Sequence, residues 1–400
     1  MIKSNIGITW NTISMLLDGA AAYWKSVAEQ ASRRNPPRCV SVKVYNSTGI
    51  TIFARKATEN TYDLFVPVGC FDRVFLLALL FMSGIKIDPI SIVSSLRDKH
   101  LLEPYIPERL APIFRPTHDT FPSLSKELIE AYRQQYIVPT FLPDVILIST
   151  CFLAHHELAH LVNNHFEMRE MLETGTPFPY TDETLGMSKQ EIMEGFEVHA
   201  DQEASTYTAR VIWGIAREAA QDEQELASRL MNCAIGLALT VTLFDYKSRS
   251  LETKGDGYYP HPLVRWTLIH GAIAETLDRV LGDKELSELF HQAALIAANS
   301  VTKFLHGLLM TEIQYEAANG KPYPLETITP LAQLNSDQSL FGESVMFEHV
   351  IQSVERGKRV VFLGKLMGID MNLNQQWKAS PEERLKNFMD RVRIIKDRTS

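Results

Sequence analysis

The segment Cys151–His165 combines residue types that can bind a metal ion and activate water. Within it, His156-Glu157-Leu158-Ala159-His160 forms an HExxH pattern. Residues four apart lie one turn apart on the same face of a helix, so the two imidazoles can bind one metal ion. Glu157 lies beside them and can take a proton from water without being a ligand itself. The pattern predicts a catalytic zinc site, with one Zn²⁺ per chain, in preference to a helix with two surface histidines.

A third ligand is expected on a downstream helix. Ser188 and Glu191 have the spacing of a capping box, which predicts that a helix begins there. On this helix Glu197 can complete a set of two histidines and a glutamate, which leaves the fourth position on zinc for water. Asp201 is one turn further on and can accept the remaining N–H of a ligand histidine. Three other side chains compete as the third ligand: Glu194, His199 and Glu203.

Together these motifs resemble the gluzincin branch of zinc metallopeptidases. The resemblance is carried by HELAH, by the E-x-x-A-D segment from Glu197 to Asp201, and by Tyr258-Tyr-Pro-His261-Pro-Leu-Val-Arg265. It is a resemblance to HtpX-like and CAAX-prenyl-type endopeptidases and to Lit-type phage-exclusion peptidases, and it covers Val145 to Arg265. It implies three metal ligands, a catalytic base and one outer residue: His156, His160 and Glu197, then Glu157, then Asp201.

The chain also departs from related patterns. The metzincin branch would require Gly at position 163 and His at position 166, where this sequence has Asn163 and Phe166. His165 is expected on the other side of a continuous helix from His160 and is therefore expected to be structural. The membrane-embedded relatives carry spanning segments that this sequence does not show, so their lipid-linked substrates do not transfer to it.

These residues predict a mechanism for peptide hydrolysis. Glu157 acts as the general base on water that zinc activates, and then passes the proton to the leaving amine. The developing oxyanion needs a further donor. His261 is the first candidate, and three others stand in reserve: Arg265, Tyr258 and Tyr259. We expect limited cleavage of a specific protein. A metal-binding scaffold that has lost activity is the alternative, and the presence of Glu157 argues against it.

Composition restricts the class of protein and its partners. The 400 residues include 40 basic and 48 acidic side chains, a net charge of −8, and 45% are hydrophobic. This is typical of a globular protein, and the acidic balance predicts no nucleic-acid partner. The four cysteines form no CxxC pair, as expected in a reducing cytoplasm. The apolar runs Val74–Met82 and Ala234–Phe244 are too short to cross a membrane, so we expect no membrane span.

Periodicity predicts a mainly helical α+β fold with a zincin-like catalytic core. A helix over about Thr9–Arg33 precedes three strands, Cys39–Tyr45, Ile50–Ala54 and Tyr62–Val66, which are expected to form a small antiparallel meander. After a proline-rich stretch the pattern is helical. The predicted helices are Ser123–Tyr136, Pro143–Met168, Ser188–Ala220, Glu223–Lys247, Pro262–Leu281 and Lys284–Ala317.

This pattern divides the chain into three regions. Residues 1–122 contain the first helix and the meander, residues 123–282 the catalytic core, and residues 283–400 an added helical region. The first and last regions are expected to gate or select substrates.

Overall fold

A computed structural model of the chain describes residues 10–31, 39–45, 52–58, 60–67, several residues between 70 and 81, 140–174, 187–244, 262–318 and 345–366. Of the described residues, 82% are helical. Three strands form one small sheet. The prediction of a mainly helical α+β chain is confirmed at this level.

Eight helices are described from end to end. The first, α1 (Trp10–Ala31), ends close to the expected residue and buries Ala20, Trp24 and Val27 on one side. The others are α2 (Phe141–Val162), α3 (His165–Thr174), α4 (Lys189–Gly214), α5 (Glu223–Phe244), α6 (Pro262–Glu275), α7 (Lys284–Ala318) and α8 (Val345–Leu366). Short π-helical turns, Ile215–Ala219 and Thr276–Val280, follow α4 and α6. The predicted helix Ser123–Tyr136 lies outside the described residues.

The sheet is mixed, so the prediction of an antiparallel meander is wrong. Its strands are β1 (Cys39–Tyr45), β2 (Phe53–Thr58) and β3 (Thr61–Pro67), in the order β1-β3-β2. β3 pairs parallel to β1 and antiparallel to β2. A meander would place β2 in the centre, but β2 is mostly exposed whereas Tyr62, Leu64 and Val66 of β3 are buried. The more apolar strand takes the central position, and the strand with Arg55 and Lys56 takes an edge.

The described residues belong to two compact units, and each unit is assembled from three segments of the chain. The first lies within Met1–Thr150, Ala220–Tyr246 and Ile296–Asp337, and the second within Cys151–Ala219, Lys247–Leu295 and Gln338–Ser400. The division of the chain into regions 1–122, 123–282 and 283–400 stays a prediction.

In the first unit, α5 packs closely on the beginning of α2. A Cβ atom added at Gly236 would lie 3.0 Å from the Cα atom of Val145, so only glycine permits this approach without a shift. Beside it, Thr240 donates a hydrogen bond of 2.7 Å to Ser149, which donates one of 3.2 Å to the Gly236 carbonyl. The close helix pair is thus held by satisfied polar contacts as well as by packing.

In the second unit, α8 packs on α4. A Cβ atom at Gly195 would lie 2.5 Å from Val360 Cγ2 and 2.9 Å from the Arg356 carbonyl oxygen. Arg356 also forms an ion pair of 2.6 Å with Glu194. The core around this contact is apolar and includes Met168, Met187, Ile192, Met193, Phe196, Val198, Val360, Val361 and Leu363. Helix α8 is therefore part of the packing that fixes α4.

Helix α2 is unusually apolar. Among the described helices it alone is long and apolar enough to cross a membrane, judged by length and composition. In its most apolar window, 78% of the residues are buried within the protein.

Candidate metal centre

In the second unit, the end of α2 and helix α4 position the side chains of the candidate site. The last two turns of α2 carry His156, Glu157 and His160. Helix α4 begins with the predicted capping box: Glu191 N–H donates to Ser188 Oγ at 3.3 Å, and Ser188 N–H donates to Glu191 Oε2 at 2.8 Å. This cap fixes the start of α4 about two and a half turns before Glu197, and the contact with α8 fixes its course.

Three ligand-type atoms converge between α2 and α4. His156 Nε2 lies 3.2 Å from His160 Nε2 and 3.2 Å from Glu197 Oε2, and His160 Nε2 lies 3.5 Å from the same oxygen. Atoms held about 2.0–2.1 Å from a tetrahedral ion lie roughly 3.3–3.4 Å from one another. The three residues are buried and form a group that could hold a metal ion.

The tautomer of His156 follows from its second contact. Its Nδ1 lies 2.9 Å from Asp201 Oδ1, as a close contact without the geometry of a well-aligned hydrogen bond. Because a carboxylate only accepts hydrogen bonds, this contact favours the tautomer of neutral His156 with its proton on Nδ1. Its Nε2 lone pair therefore points toward Glu197. Among the described residues, no hydrogen bond of good geometry reaches Glu197 Oε2, although His156 and His160 both lie close to it. A lone pair and a carboxylate oxygen at this spacing repel each other unless a cation lies between them.

Arg265 on α6 holds Asp201 in place. Its Nε donates to Asp201 Oδ2 at 2.6 Å and its Nη2 donates to Oδ1 at 2.8 Å. Both side chains are buried. Such a two-pronged ion pair fixes the carboxylate plane and keeps it charged. Arg265, one of the reserve candidates for an oxyanion donor, is thus placed as the partner of Asp201.

The site favours a positive charge. Burial opposes the charge on His156, but its contacts with Asp201 and Glu197 raise the pKa of His156 to about 10. Burial also opposes the charge on Glu197, but His160 and His156 hold the pKa of Glu197 well below its ordinary value. Without a metal ion, the proton on His156 therefore supplies the cation that these ligands require.

Glu157 differs from Glu197 in its electrostatic surroundings. Burial raises the pKa of the Glu157 carboxyl above its ordinary value, against the opposing charges of His156 and His160. Glu157 is partly exposed and is not one of the three converging groups. A carboxylate with a raised pKa beside a cation site is suited to accept a proton.

The competing third ligands have other partners or stand outside the cluster. Glu194 accepts hydrogen bonds from Arg356 at 2.6 Å and from Ser353 at 3.0 Å. His199 Nδ1 faces His165, and Glu203 is not in the converging group. Of the four side chains considered, Glu197 is the one that joins the histidines. The oxyanion-donor candidates His261, Tyr258 and Tyr259 lie outside the described residues.

His165 contacts the site, contrary to its predicted position on the far side of one helix over Pro143–Met168. Helix α2 ends at Val162, Asn164 adopts a left-handed conformation with φ 58°, and α3 begins at His165. This turn brings His165 Nδ1 to 2.9 Å from His160 Nδ1. The pair Asn163-Asn164 was the available signal, since asparagine tolerates the left-handed region and commonly ends helices.

Comparisons with family models, with curated proteins and with solved structures gave no match to this chain. The functional interpretation therefore depends on the geometry of the cluster and on the sequence motifs.

Proposed function

We propose that the chain is a zinc-dependent endopeptidase of the gluzincin type. The observation that carries the proposal is the convergence of two imidazole nitrogens and one carboxylate oxygen at 3.2–3.5 Å. His156, His160 and Glu197 would hold the metal. Two nitrogen ligands and one carboxylate, with a fourth position left for water, are a ligand set of catalytic zinc enzymes.

The roles of the remaining residues follow from their positions. Bound zinc would supply a Lewis acid that polarises a carbonyl and lowers the pKa of water. Glu157 takes a proton from the attacking water and gives it to the departing amine of the peptide. Asp201, held by Arg265, fixes the orientation of His156 through Nδ1. The zincin-like core and the role of His261 as oxyanion donor remain part of this proposal.

The substrate class follows from the mechanism and the resemblance together. We propose a protein or peptide substrate cleaved at restricted positions in the cytoplasm, with no nucleic-acid partner and no membrane span. None of the four cysteines, all of which are described, forms a disulfide, and three of them are buried, which supports a reducing compartment. The extensive burial of α2 supports its role as a core helix that carries the ligands.

The first test is the metal content of the purified protein, measured by elemental mass spectrometry. We expect about one zinc per chain, and a sharp decrease in a Glu197→Gln variant, because that change removes a charged ligand. Glu203→Gln is the matched control, since it removes the same charge from the same helix without touching the converging atoms. Absence of zinc from folded wild-type protein, or an equal loss in the control variant, would contradict the proposed centre.

The second test separates the enzyme from the inactive scaffold. A peptide library made from a digested proteome is incubated with zinc-loaded protein, and new termini are identified by mass spectrometry. We expect cleavage by the wild type and none by Glu157→Gln, which keeps the ligands and should keep the zinc. Cleavage by both proteins would exclude Glu157 as the base, and cleavage by neither would favour the scaffold.

A further inference from the structure

The proposed chemistry leaves unexplained a row of three buried histidines that begins at a metal ligand. His165 Nδ1 lies 2.9 Å from His160 Nδ1, and His165 Nε2 lies 3.0 Å from His199 Nδ1. His165 and His199 are 2% and 1% exposed. Both ring nitrogens of His165 are therefore engaged by other imidazoles, one of which belongs to the candidate metal centre.

The row has two possible directions of hydrogen bonding. Each contact joins two ring nitrogens, so one of them carries a proton and the other a lone pair. In one direction His160 donates from Nδ1 to His165, and His165 donates from Nε2 to His199. In the other direction every bond is reversed, and His160 carries its proton on Nε2.

Only the first direction is compatible with a metal ion. A metal requires the Nε2 lone pair of His160, which is the atom that faces His156 and Glu197. With the reversed direction a proton occupies that position instead. The acceptor offered by His165 Nδ1 therefore favours the tautomer in which His160 can bind a metal ion.

Local structure holds His165 where this acceptor is needed. Its ring stacks on Phe196 of α4, with centroids 4.8 Å apart and planes at 25°. Asn163 donates from Nδ2 to the Ala159 carbonyl at 3.0 Å, which stabilises the turn that ends α2. Contacts with α4 and with the turn therefore fix the orientation of the His165 ring.

We infer that His165 is a positioning residue that holds His160 in the metal-binding tautomer. The two ligand histidines are then oriented by different chemistries. His156 faces a carboxylate, which accepts only, so its Nδ1 keeps a proton whether a metal ion or a second proton occupies the Nε2 side. His160 faces another imidazole, whose tautomer depends in turn on His199. This inference rests on the proposed metal centre and assigns an outer partner to its second histidine.

The main experiment compares three proteins by zinc affinity, using Zn²⁺ alone in competition with a chromogenic chelator. His165→Phe keeps a ring on Phe196 but removes the acceptor, and we expect it to weaken zinc binding by about 10–100-fold. His165→Asn restores an oxygen acceptor near the position of Nδ1, and we expect it to recover most of the affinity. Equal affinity in the wild type and His165→Phe would overturn the inference. A loss in His165→Asn as large as in His165→Phe would do the same, because it would show that only the ring shape matters.

A second measurement needs no variant. Nitrogen-15 spectra of the histidine rings in zinc-loaded wild-type protein report which nitrogen of each ring carries the proton. We expect Nδ1–H for His160 and Nε2–H for His165, and the opposite tautomer of His165 would overturn the inference even if the variants fail to fold. If wild-type protein binds no metal, the proposed function and this inference both fail. If it binds zinc with the wrong tautomer, only this inference fails.

Discussion

Helix α2 carries two buried polar clusters, and they differ in whether their charges are matched. In its first turn, Asp144 accepts hydrogen bonds from Arg229 at 2.8 and 3.3 Å and from Asn232 at 3.0 Å. Both carboxylate oxygens thus face donors, and the negative charge is balanced by a guanidinium. A buried ion pair with this geometry needs no additional group.

In the last turns of α2 the charges are not fully matched by neighbouring side chains. Asp201 is matched by Arg265 and His156, but the atoms beyond it are two imidazole nitrogens and a carboxylate oxygen that face one another. Acceptors that converge in a buried position are stable only around a cation. The contrast distinguishes the two clusters: the Asp144 cluster is neutralised by its own side chains, whereas the candidate site needs a bound cation, either a proton on His156 or a metal ion.

The sharpest test of this contrast removes one carboxylate from each cluster. Asp144→Ala should destabilise the protein by about 3–5 kcal/mol, because it leaves the Arg229 guanidinium without its buried partner. It should leave zinc affinity unchanged when measured on the folded fraction. Glu197→Gln should weaken zinc binding by more than about 100-fold, since even loss of an outer partner costs 10–100-fold. Chemical denaturation of the metal-free proteins and chelator competition provide the two readouts.

The two results should be reciprocal. If Asp144→Ala loses zinc as strongly as Glu197→Gln does, the distinction between a structural and a functional cluster is wrong. The distinction is also wrong if the Glu197→Gln variant still binds zinc as tightly as the wild type.

A pH titration of the metal-free protein should detect the proton that His156 holds. The pKa of His156 is raised from 6.5 to about 10 in the folded state. The raised pKa of His156 therefore stabilises the folded protein by its full amount below pH 6.5, where the unfolded chain also binds the proton. This stabilisation is lost as pH rises toward 10. Between these values the free energy of unfolding should decrease by up to about 1.4 kcal/mol per pH unit.

The His156→Asn variant isolates this effect from other groups that titrate at alkaline pH. Its stability should lack the extra slope, so the difference between the two proteins is the measured quantity. Zinc binding to the wild type at neutral pH should release about one proton from the site, which calorimetry in buffers of different ionisation enthalpy can count. A wild-type slope identical to that of the variant would place the proton elsewhere.

Local patterns predicted the elements of the site well. The HExxH spacing, the capping box at Ser188 and the one-turn separation of Glu197 and Asp201 all depend on helical geometry, which short-range sequence determines. For the same reason the predicted strand Cys39–Tyr45 coincides with β1. The partner of Arg265 could not be predicted, because it is 64 positions away and depends on how α6 packs.

Two errors share one physical cause. The meander assumed that strands adjacent in sequence pair, and the position of His165 assumed that a helix continues through Asn163-Asn164. In each case a local sequence pattern was extended to a feature, strand pairing or the end of a helix, that tertiary contacts determine. The central place of β3 follows from its burial, and the restart of α3 at His165 accompanies its contacts with His160, His199 and Phe196.

The smallest expected effect concerns two glycines, one near each cluster. Gly236 allows α5 to approach Val145, and Gly195 allows α4 to approach α8. Gly195→Ala and Gly236→Ala should each destabilise the protein by about 1–3 kcal/mol through overpacking. Gly214→Ala on α4 is the control, because a Cβ there meets no atom within 4 Å and alanine favours the helix, so it should stabilise by up to about 1 kcal/mol.

Zinc affinity should separate the two destabilised variants. Gly195 lies next to Glu194, which Arg356 of α8 holds, and two residues before Glu197, so a shift of α4 away from α8 moves a ligand. Gly195→Ala should therefore bind zinc more weakly than the wild type, whereas Gly236→Ala should bind it equally well. Equal affinity in all three variants would show that the site tolerates displacement of α4. Its ligands would then be fixed by their own hydrogen bonds, through Asp201 and His165, more than by the packing behind the helix.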